Sequence, residues 1–172
     1  ELSKTAEMSH ITEQIKNGSM RYPIRELKSH ARTIQQGTAQ YEQDIYTKVI
    51  PRRIWIAMVR QDARAGSYKL NPFNFQHFNM KSIQLNVAGK QVPAEELKVD
   101  FDSNRYKELY FNLFSQMDNM FDDRGNGISY SDFKNGFCIM AFDLTADMED
   151  GEHLELTKRG NVGLKIEFKQ PT

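Results

Sequence analysis

The sequence predicts a mainly β fold, a single β-sandwich that carries one long amphipathic helix and a short N-terminal helix. Three observations indicate this class. Several short apolar segments alternate with polar residues at the two-residue period of a strand. The connections between them are short and rich in proline and glycine, without a long linker, repeat or low-complexity stretch. With 172 residues, of which 39% are hydrophobic and 27% charged, the chain suits one soluble domain with a real core.

The N-terminal helix is predicted over residues 4–16. Met8, Ile11 and Ile15 recur at helical spacing and form one narrow apolar stripe. Asn17-Gly18 follows and is a typical stop signal at a helix C-terminus. We therefore expect a short helix that ends near residue 16.

The segment from Tyr22 is the least regular of the predicted strands. Tyr22 and Ile24 begin an alternation that slips at Glu26-Leu27, as a β-bulge would cause. We expect this bulged strand to be the first strand of the sandwich.

The other predicted strands fall into two patterns. Residues 83–87 and 162–168 alternate regularly, which predicts strands with one buried face, and Gly89-Lys90 offers a turn after the first of them. Residues 54–59 and 137–142 are apolar without alternation. Their short length favours central strands covered on both faces over helices.

The long helix has the clearest pattern in the chain. From Ser103 onward, apolar residues fall on the i, i+3, i+4 and i+7 positions of one helix face. These residues are Tyr106, Leu109, Tyr110, Leu113, Phe114, Met117, Met120 and Phe121. Ser103 has the chemistry of an N-cap, and the polar, glycine-containing run from Asp122 to Gly127 breaks the helix. Because such a helix cannot leave its apolar stripe in water, it is expected to pack against a sheet or a partner.

Charge and composition exclude several classes of function. Lys plus Arg and Asp plus Glu number 23 each, so no net field draws the chain toward nucleic acid or an anionic membrane. No apolar run approaches the roughly 18 residues of a spanning helix. The single cysteine, Cys138, excludes an internal disulfide and a multi-cysteine metal site, and it is compatible with a reducing compartment. The chain begins with Glu1 rather than Met, so a fragment of a longer protein is one expectation.

The segment from Asp122 to Ile128 resembles a calcium loop but lacks the required ligands. If Gly127 takes the invariant glycine position 6 of an EF-hand, Arg124 falls at ligand position 3. Phe133 then stands at position 12, where a bidentate glutamate belongs. An ordinary turn between a helix and a strand is the favoured interpretation.

Histidine and cysteine residues offer no recognisable ligand or nucleophile pattern. The four histidines show no paired spacing; they are His10, His30, His77 and His153. Cys138 lies inside an apolar strand, where a thiol behaves as a small hydrophobe. A hydrolase that pairs Cys138 with His77 or His30 is the weakest hypothesis, and it requires an exposed thiol within hydrogen-bond reach of the ring.

Charged residues suggest no active site either. Asp100 and Asp102 flank Phe101 and could form a carboxylate pair, but their place before Ser103 favours residues at a helix start. The acidic run 147–152 is most simply a solvated loop, and Pro51-Arg52-Arg53 is too short for a nucleic-acid patch. We therefore predict no catalytic, cofactor-binding or metal site, no cofactor and no enzyme.

The aromatic residues are dense in two segments where packing is expected. One holds Phe73, Phe75 and Phe78, and the other runs from Tyr106 to Phe114. A core position is the favoured interpretation over a ligand platform. A subunit interface is a variant of the same interpretation, because it also buries apolar surface.

Two sets of ordered residue blocks extend over some 150 positions of the chain. The most specific blocks are Asn71 to Met80 and Phe137 to Ala146. The others, in order, are Gly18 with 21–24, 50–53, 66–68, Asp100-Phe101 with Tyr106 and Tyr110, and 160–168. Each block alone is weak, but blocks in one order at similar spacing are hard to produce by chance. Together they resemble the major capsid proteins of Polinton (Maverick) elements and adintoviruses.

The resemblance implies an antiparallel jelly-roll β-sandwich that is the C-terminal half of a hexon-like double jelly-roll subunit. On that basis residues 1–20 are a helical linker and 21–172 the jelly-roll domain, with the first jelly roll and the last strand absent. The implied function is structural: homotrimers that contact neighbouring capsomers, with penton or minor capsid proteins as further partners. The implied location is the virion capsid, after synthesis inside the host cell.

A soluble β-sandwich that binds a ligand or carbohydrate is the alternative from a different class. Trp55 and the phenylalanines of 73–78 would then form an aromatic platform. Exposure distinguishes the two hypotheses, because a sugar-binding site needs these aromatics in solvent, whereas the capsid interpretation buries them.

Overall fold

The computed structural model describes residues 4–16, 24, 26–115, 125–145 and 158–171. Contacts divide the chain into two compact units, Glu1–Ala31 and Arg32–Thr172. The first unit contains helix α1, Lys4–Lys16, which confirms the predicted N-terminal helix. Its stripe residues Met8, Ile11 and Ile15 are exposed. The predicted stop at Asn17-Gly18 lies outside the described residues.

The second unit is mainly β, with six strands and three short helices in the described residues. The strands are β1 Gln40–Val49, β2 Arg53–Ala57, β3 Met80–Val87, β4 Lys90–Lys98, β5 Ile139–Asp143 and β6 Arg159–Phe168. The helices are α2 Gln61–Arg64, α3 Lys107–Ser115 and α4 Tyr130–Lys134. Among the described helices, none is both long enough and apolar enough to cross a membrane.

All strand pairs within these sheets are antiparallel. One sheet has four strands in the order β1-β6-β3-β4, and the other joins β2 to β5. Both sheets contribute to one hydrophobic core, which is consistent with the predicted β-sandwich class. Its largest fully buried side chains are Phe101, Phe133, Met80, Ile83, Leu85, Leu109, Leu113, Met140, Ile166, Val162 and Cys138.

The strands with regular alternation form where the sequence predicts them. In β6, Val162, Leu164, Ile166 and Phe168 are buried, while the residues between them are partly exposed. The predicted turn after β3 is also present: Val87 pairs with Lys90, and the two residues between them have positive φ. That combination is a two-residue hairpin of type I′.

The predicted strand from Tyr22 is wrong in the residues that the structure describes. Ile24 and Leu27 lie outside any strand and are 87% and 83% exposed. The chain instead enters the sheet at β1, which the sequence did not reveal. In β1 only Tyr41 is buried, so the strand carries little of the apolar alternation that identifies β6.

Of the two non-alternating segments, only one is covered on both faces. In β5, Met140 to Asp143 are all buried, as predicted for a strand covered on both faces. In β2, by contrast, Trp55 is 47% exposed, so the prediction of cover on both faces was wrong, because an apolar run indicates hydrophobicity but not whether a second layer covers it. Within the part of the chain that the structure describes, β2 and β5 pair only with each other, so neither is a central strand there.

The long helix starts later than its pattern predicts. α3 begins at Lys107, and Ser103 is not its N-cap: the Ser103 N–H and hydroxyl both donate to the Asp100 carboxylate, within a turn closed by an Asp100–Arg105 bridge. Leu109 and Leu113 are buried, and α3 contacts β5, which confirms that this stripe packs against a sheet. The predicted continuation to Phe121 lies outside the described residues.

Candidate functional site

Cys138 occupies a position that opposes nucleophilic chemistry. It precedes β5 and its side chain has no solvent exposure. Burial raises the pKa of the thiol to about 12, because a thiolate is poorly solvated in an apolar environment. The attacking species in thiol catalysis is the thiolate, so this setting argues against the hydrolase hypothesis.

The histidines that the structure describes show no feature of a ligand set. His77 stacks on Phe101, with ring centroids 4.0 Å apart and planes inclined by 8°. His30 is exposed, His10 lies within α1, and His153 is outside the described residues. Within the described ranges, no three residues of the His, Cys, Asp and Glu types are placed to hold a metal ion.

Asp100 and Asp102 meet a cation instead of forming an acid–base pair. Lys169 donates to Asp100 Oδ1 at 2.6 Å and to Asp102 Oδ2 at 2.9 Å. The bond from Lys169 holds the pKa of Asp100 well below its usual range, and the bonds from Ser103 act in the same direction. A general acid needs a raised carboxyl pKa, so the pair suits a structural role. That role is in the turn before α3, not at its N-cap.

The resemblance to a calcium loop gains no support from the described part of that segment. Asn126 Oδ1 accepts the Ile128 N–H at 3.0 Å, and Gly127 has φ +74°, which together make a tight polar turn. Phe133, which the EF-hand alignment puts at the glutamate position, is completely buried in α4. The loop residues 122–124 lie outside the described residues.

Arg53 and Asp143 form a buried ion pair between β2 and β5. Arg53 Nε donates to Asp143 Oδ2 at 3.1 Å, with the carboxylate side chain 1% exposed. The other carboxylate oxygen accepts the Thr145 N–H at 2.8 Å and the Thr145 hydroxyl. Arg53 therefore helps hold the two-stranded sheet together. The acidic run 147–152 lies outside the described residues.

The two most specific sequence blocks meet in the structure. Phe75 N–H donates to Gly136 O at 2.8 Å, and Cys138 N–H donates to Phe75 O at 3.1 Å. The first block thus runs alongside the residues that lead into β5. Gly136 is required here because its φ is +121° and a Cβ would lie 2.9 Å from Asn74 Oδ1.

The aromatic residues of the first block are not all core residues. Phe75 and Phe78 are partly buried, but Phe73 is 71% exposed and touches Phe75 edge to face at 6.5 Å. The expectation of a core position was therefore wrong for Phe73, and also for Phe111 of the second aromatic segment, which is 50% exposed. Phe137 is 49% exposed, so together with Trp55 a set of large aromatic side chains faces solvent in the isolated chain.

A stack of four nearly parallel rings links three separate segments. The rings of His77, Phe101, Tyr106 and Tyr130 follow one another with centroid distances of 4.0, 5.0 and 4.3 Å. Tyr106 O–H donates to Tyr130 O at 3.1 Å and Tyr130 O–H donates to Asn104 O at 2.7 Å. The sequence indicated Tyr106 as a core residue but not the stack. No sequence spacing reports that rings 24 or more residues apart will meet.

The comparisons with known proteins identify one distant relative. The chain is 27% identical over 130 residues to an uncharacterized protein of Caenorhabditis elegans. The match covers 74% of this chain but only 31% of that protein, so the chain spans about a third of the relative's length. No protein-family model matches the chain. No solved structure matches it significantly.

Proposed function

We propose that this chain is a structural capsid protein: the C-terminal jelly roll of a double jelly-roll major capsid protein of the Polinton and adintovirus type, which builds a shell from homotrimers. Its role is assembly, without catalysis or a cofactor. The observation that carries the proposal is the order of the strand pairs, taken together with the ordered sequence blocks.

The strand pairing supports a rolled antiparallel ribbon. β1 pairs with β6, β2 with β5 and β3 with β4, so each pair is nested inside the one before it. The pairs alternate between the two sheets, and β3 also pairs with β6. A jelly roll arises when such a ribbon folds into two facing sheets of eight strands in total. On this proposal, the three nested pairs would be three of the four strand pairs of a jelly roll.

The two specific blocks have a structural role that fits this proposal. Their hydrogen bonds between Phe75 and residues 136–138 join the entry to β3 with the entry to β5. Block residues therefore fix backbone geometry and supply packing, which is what a shell subunit requires of its sequence. A first jelly roll and a final strand beyond Thr172 remain predictions from the resemblance.

Exposed aromatic side chains are the expected sites of subunit contact. Trp55 and Phe73 are 47% and 71% exposed in the single chain, which is opposite to the burial that the capsid interpretation expected within one chain. The proposal therefore requires that neighbouring copies cover them in the assembled shell. In a cyclic trimer, different patches of each copy meet and the interface closes on itself. Near-neutral net charge limits repulsion between such copies.

Light scattering coupled to size-exclusion chromatography tests the proposal. At concentrations on the order of 10–100 µM, where mass action favours weak association, we expect oligomers with a trimer as the main species. Phe73→Ser and Trp55→Ser should shift the distribution toward monomer. Lys90→Ser is the control, because Lys90 is an exposed polar residue at the turn between β3 and β4, outside all of the sequence blocks. A clean monomer at every concentration would contradict the proposal.

Exposure of the same aromatics favours a second candidate, a carbohydrate-binding module. Trp55 and Phe73 would offer ring faces to a sugar. Calorimetric titration with a panel of oligosaccharides tests it. Saturable binding that Trp55→Ser abolishes, on a protein that stays monomeric, would select this candidate over the capsid proposal.

A further inference from the structure

The turn that leads into β3 has an unfavourable backbone conformation. Met80 N–H donates to His77 O at 2.9 Å, and the two residues between them, Phe78 and Asn79, have φ +45° and +50°. This is the geometry of a type I′ turn, which glycine and asparagine adopt most readily. A bulky phenylalanine at positive φ is a genuine outlier, so surrounding contacts must hold the turn in place.

A neutral imidazole supplies one of those contacts. Asn79 N–H donates to His77 Nδ1 at 3.0 Å, and Lys169 N–H donates to Asn79 O at 3.0 Å. The turn is thereby tied both to its own histidine and to the residue that follows β6. The first bond exists only while Nδ1 carries a lone pair, because a protonated imidazole has a donor at both nitrogens.

The charged groups around His77 make its protonation unfavourable. Lys134 of α4 donates to the backbone carbonyl oxygen of Phe101 at 2.7 Å, and the ring of Phe101 stacks against the imidazole. Lys169, which follows β6, is the second cation that opposes protonation of His77. Asp102, in the turn before α3, is a carboxylate and favours this protonation. Partial burial, and then Lys134, lower the pKa of His77 from its ordinary value.

We propose that His77 is a pH-sensitive latch: uptake of a solvent proton at Nδ1 breaks its bond with Asn79 N–H and releases the turn at 77–80. Protonation changes Nδ1 from a hydrogen-bond acceptor to a donor and gives the ring one positive charge. Nδ1–H then faces the Asn79 N–H, and two donors cannot form a hydrogen bond with each other. Release of Asn79 also loosens its bond with residue 169, at the end of β6. This inference concerns the fold itself and does not rest on the proposed function.

The direction of the pH dependence follows from the lowered pKa. Between the folded value and the ordinary value of about 6.5, the unfolded or open chain binds more protons than the closed one. Stability is therefore complete above about pH 6.5 and decreases as the pH falls through this window. Within the window, the open-to-closed ratio should rise by up to about tenfold per pH unit.

Nuclear magnetic resonance of the complete chain tests the latch directly. The ring nitrogen shifts of His77 give its tautomer and pKa, and amide exchange of Asn79, corrected for intrinsic rates, gives the opening of the turn. We expect an Nε2–H tautomer, a pKa of His77 below its ordinary value of about 6.5, and protection at Asn79 that falls as His77 is protonated. A neutral Nδ1–H tautomer, or protection that does not follow the titration, would overturn the proposal without any variant.

Two substitutions separate the hydrogen bond from the ring packing. His77→Asn keeps an acceptor at the position of Nδ1 but cannot be protonated, and His77→Phe keeps the stack on Phe101 but has no acceptor. Protection of the Asn79 amide from exchange should lose its pH dependence in both variants. At about pH 7.5, this protection should be lower in His77→Phe than in His77→Asn, because phenylalanine has no acceptor. His30→Asn is the control and should keep the pH dependence. A pH dependence that persists in His77→Asn would refute the latch.

Discussion

Loss of the Arg53–Asp143 ion pair should destabilise the protein more than the loss of any surface ion pair does. We consider Asp143→Ala, Arg53→Met and the double variant. Asp143 is 1% and Arg53 15% exposed at the side chain, and their bond of 3.1 Å bridges β2 and β5 at a directly paired position. Each single change removes one member of this pair and leaves the charge of the other.

The expected magnitudes follow from burial. Removal of one partner of a buried pair costs about 3–5 kcal/mol, because the remaining charge is poorly solvated. Asp143→Ala also removes the two hydrogen bonds from Thr145, so it should lie at the upper end of that range. In the double variant no lone charge remains, and its cost should be at least about 1–2 kcal/mol less than the sum of the two singles.

Urea denaturation at equilibrium, followed by tryptophan fluorescence of Trp55, measures these free energies of unfolding. Lys81→Met in the exposed Lys81–Glu167 pair is the control, and it should cost no more than about 1 kcal/mol. Single-variant costs that add within about 0.5 kcal/mol would refute a coupled buried pair. So would a cost for Arg53→Met equal to that of the control.

Two further predictions concern the junction of the sequence blocks. Gly136→Ala should destabilise the fold by about 1–3 kcal/mol, because its φ is +121° and the new Cβ would meet Asn74 Oδ1 at 2.9 Å; Gly37→Ala, also at positive φ but with open space around it, should cost less in the same urea assay. Cys138 should react with a thiol reagent only as the protein unfolds, since the thiol is buried and its pKa is raised to about 12. Rapid labelling of the folded protein would instead revive the thiol-nucleophile hypothesis.

Sequence reasoning located the strands whose buried residues can be recognised from the residue pattern within the strand itself. In β6 each buried residue alternates with a partly exposed one, so the pattern itself reports the face that packs. β1 pairs with β6 along most of its length, yet it has only Tyr41 buried. Its place in the sheet depends on backbone hydrogen bonds to a partner more than 100 residues away, and polar residues make these bonds as readily as apolar ones.

The candidate sites also divide into features that depend on neighbours in sequence and features that depend on distant residues. The burial of Cys138 could be predicted because an apolar strand surrounds it in sequence. The partners of Asp100 could not, because Lys169 reaches it from the far end of the chain and draws both carboxylates of the turn into an ion pair. Ser103 has N-cap chemistry, but its N–H and hydroxyl donate to the Asp100 carboxylate within a turn, and α3 starts four residues later.

The sequence by itself determined the mainly β class, the N-terminal helix, the alternating strands and the stripe that packs α3, since all of these follow from residue periods within one segment. Only the tertiary structure decided which apolar faces find a second layer. It buries β5 on both sides but leaves Trp55 and Phe73 in solvent. It also assembles the four-ring stack that begins at His77 from three distant segments. The physical reason is that hydrophobicity belongs to a residue, whereas burial belongs to the set of surfaces that meet it.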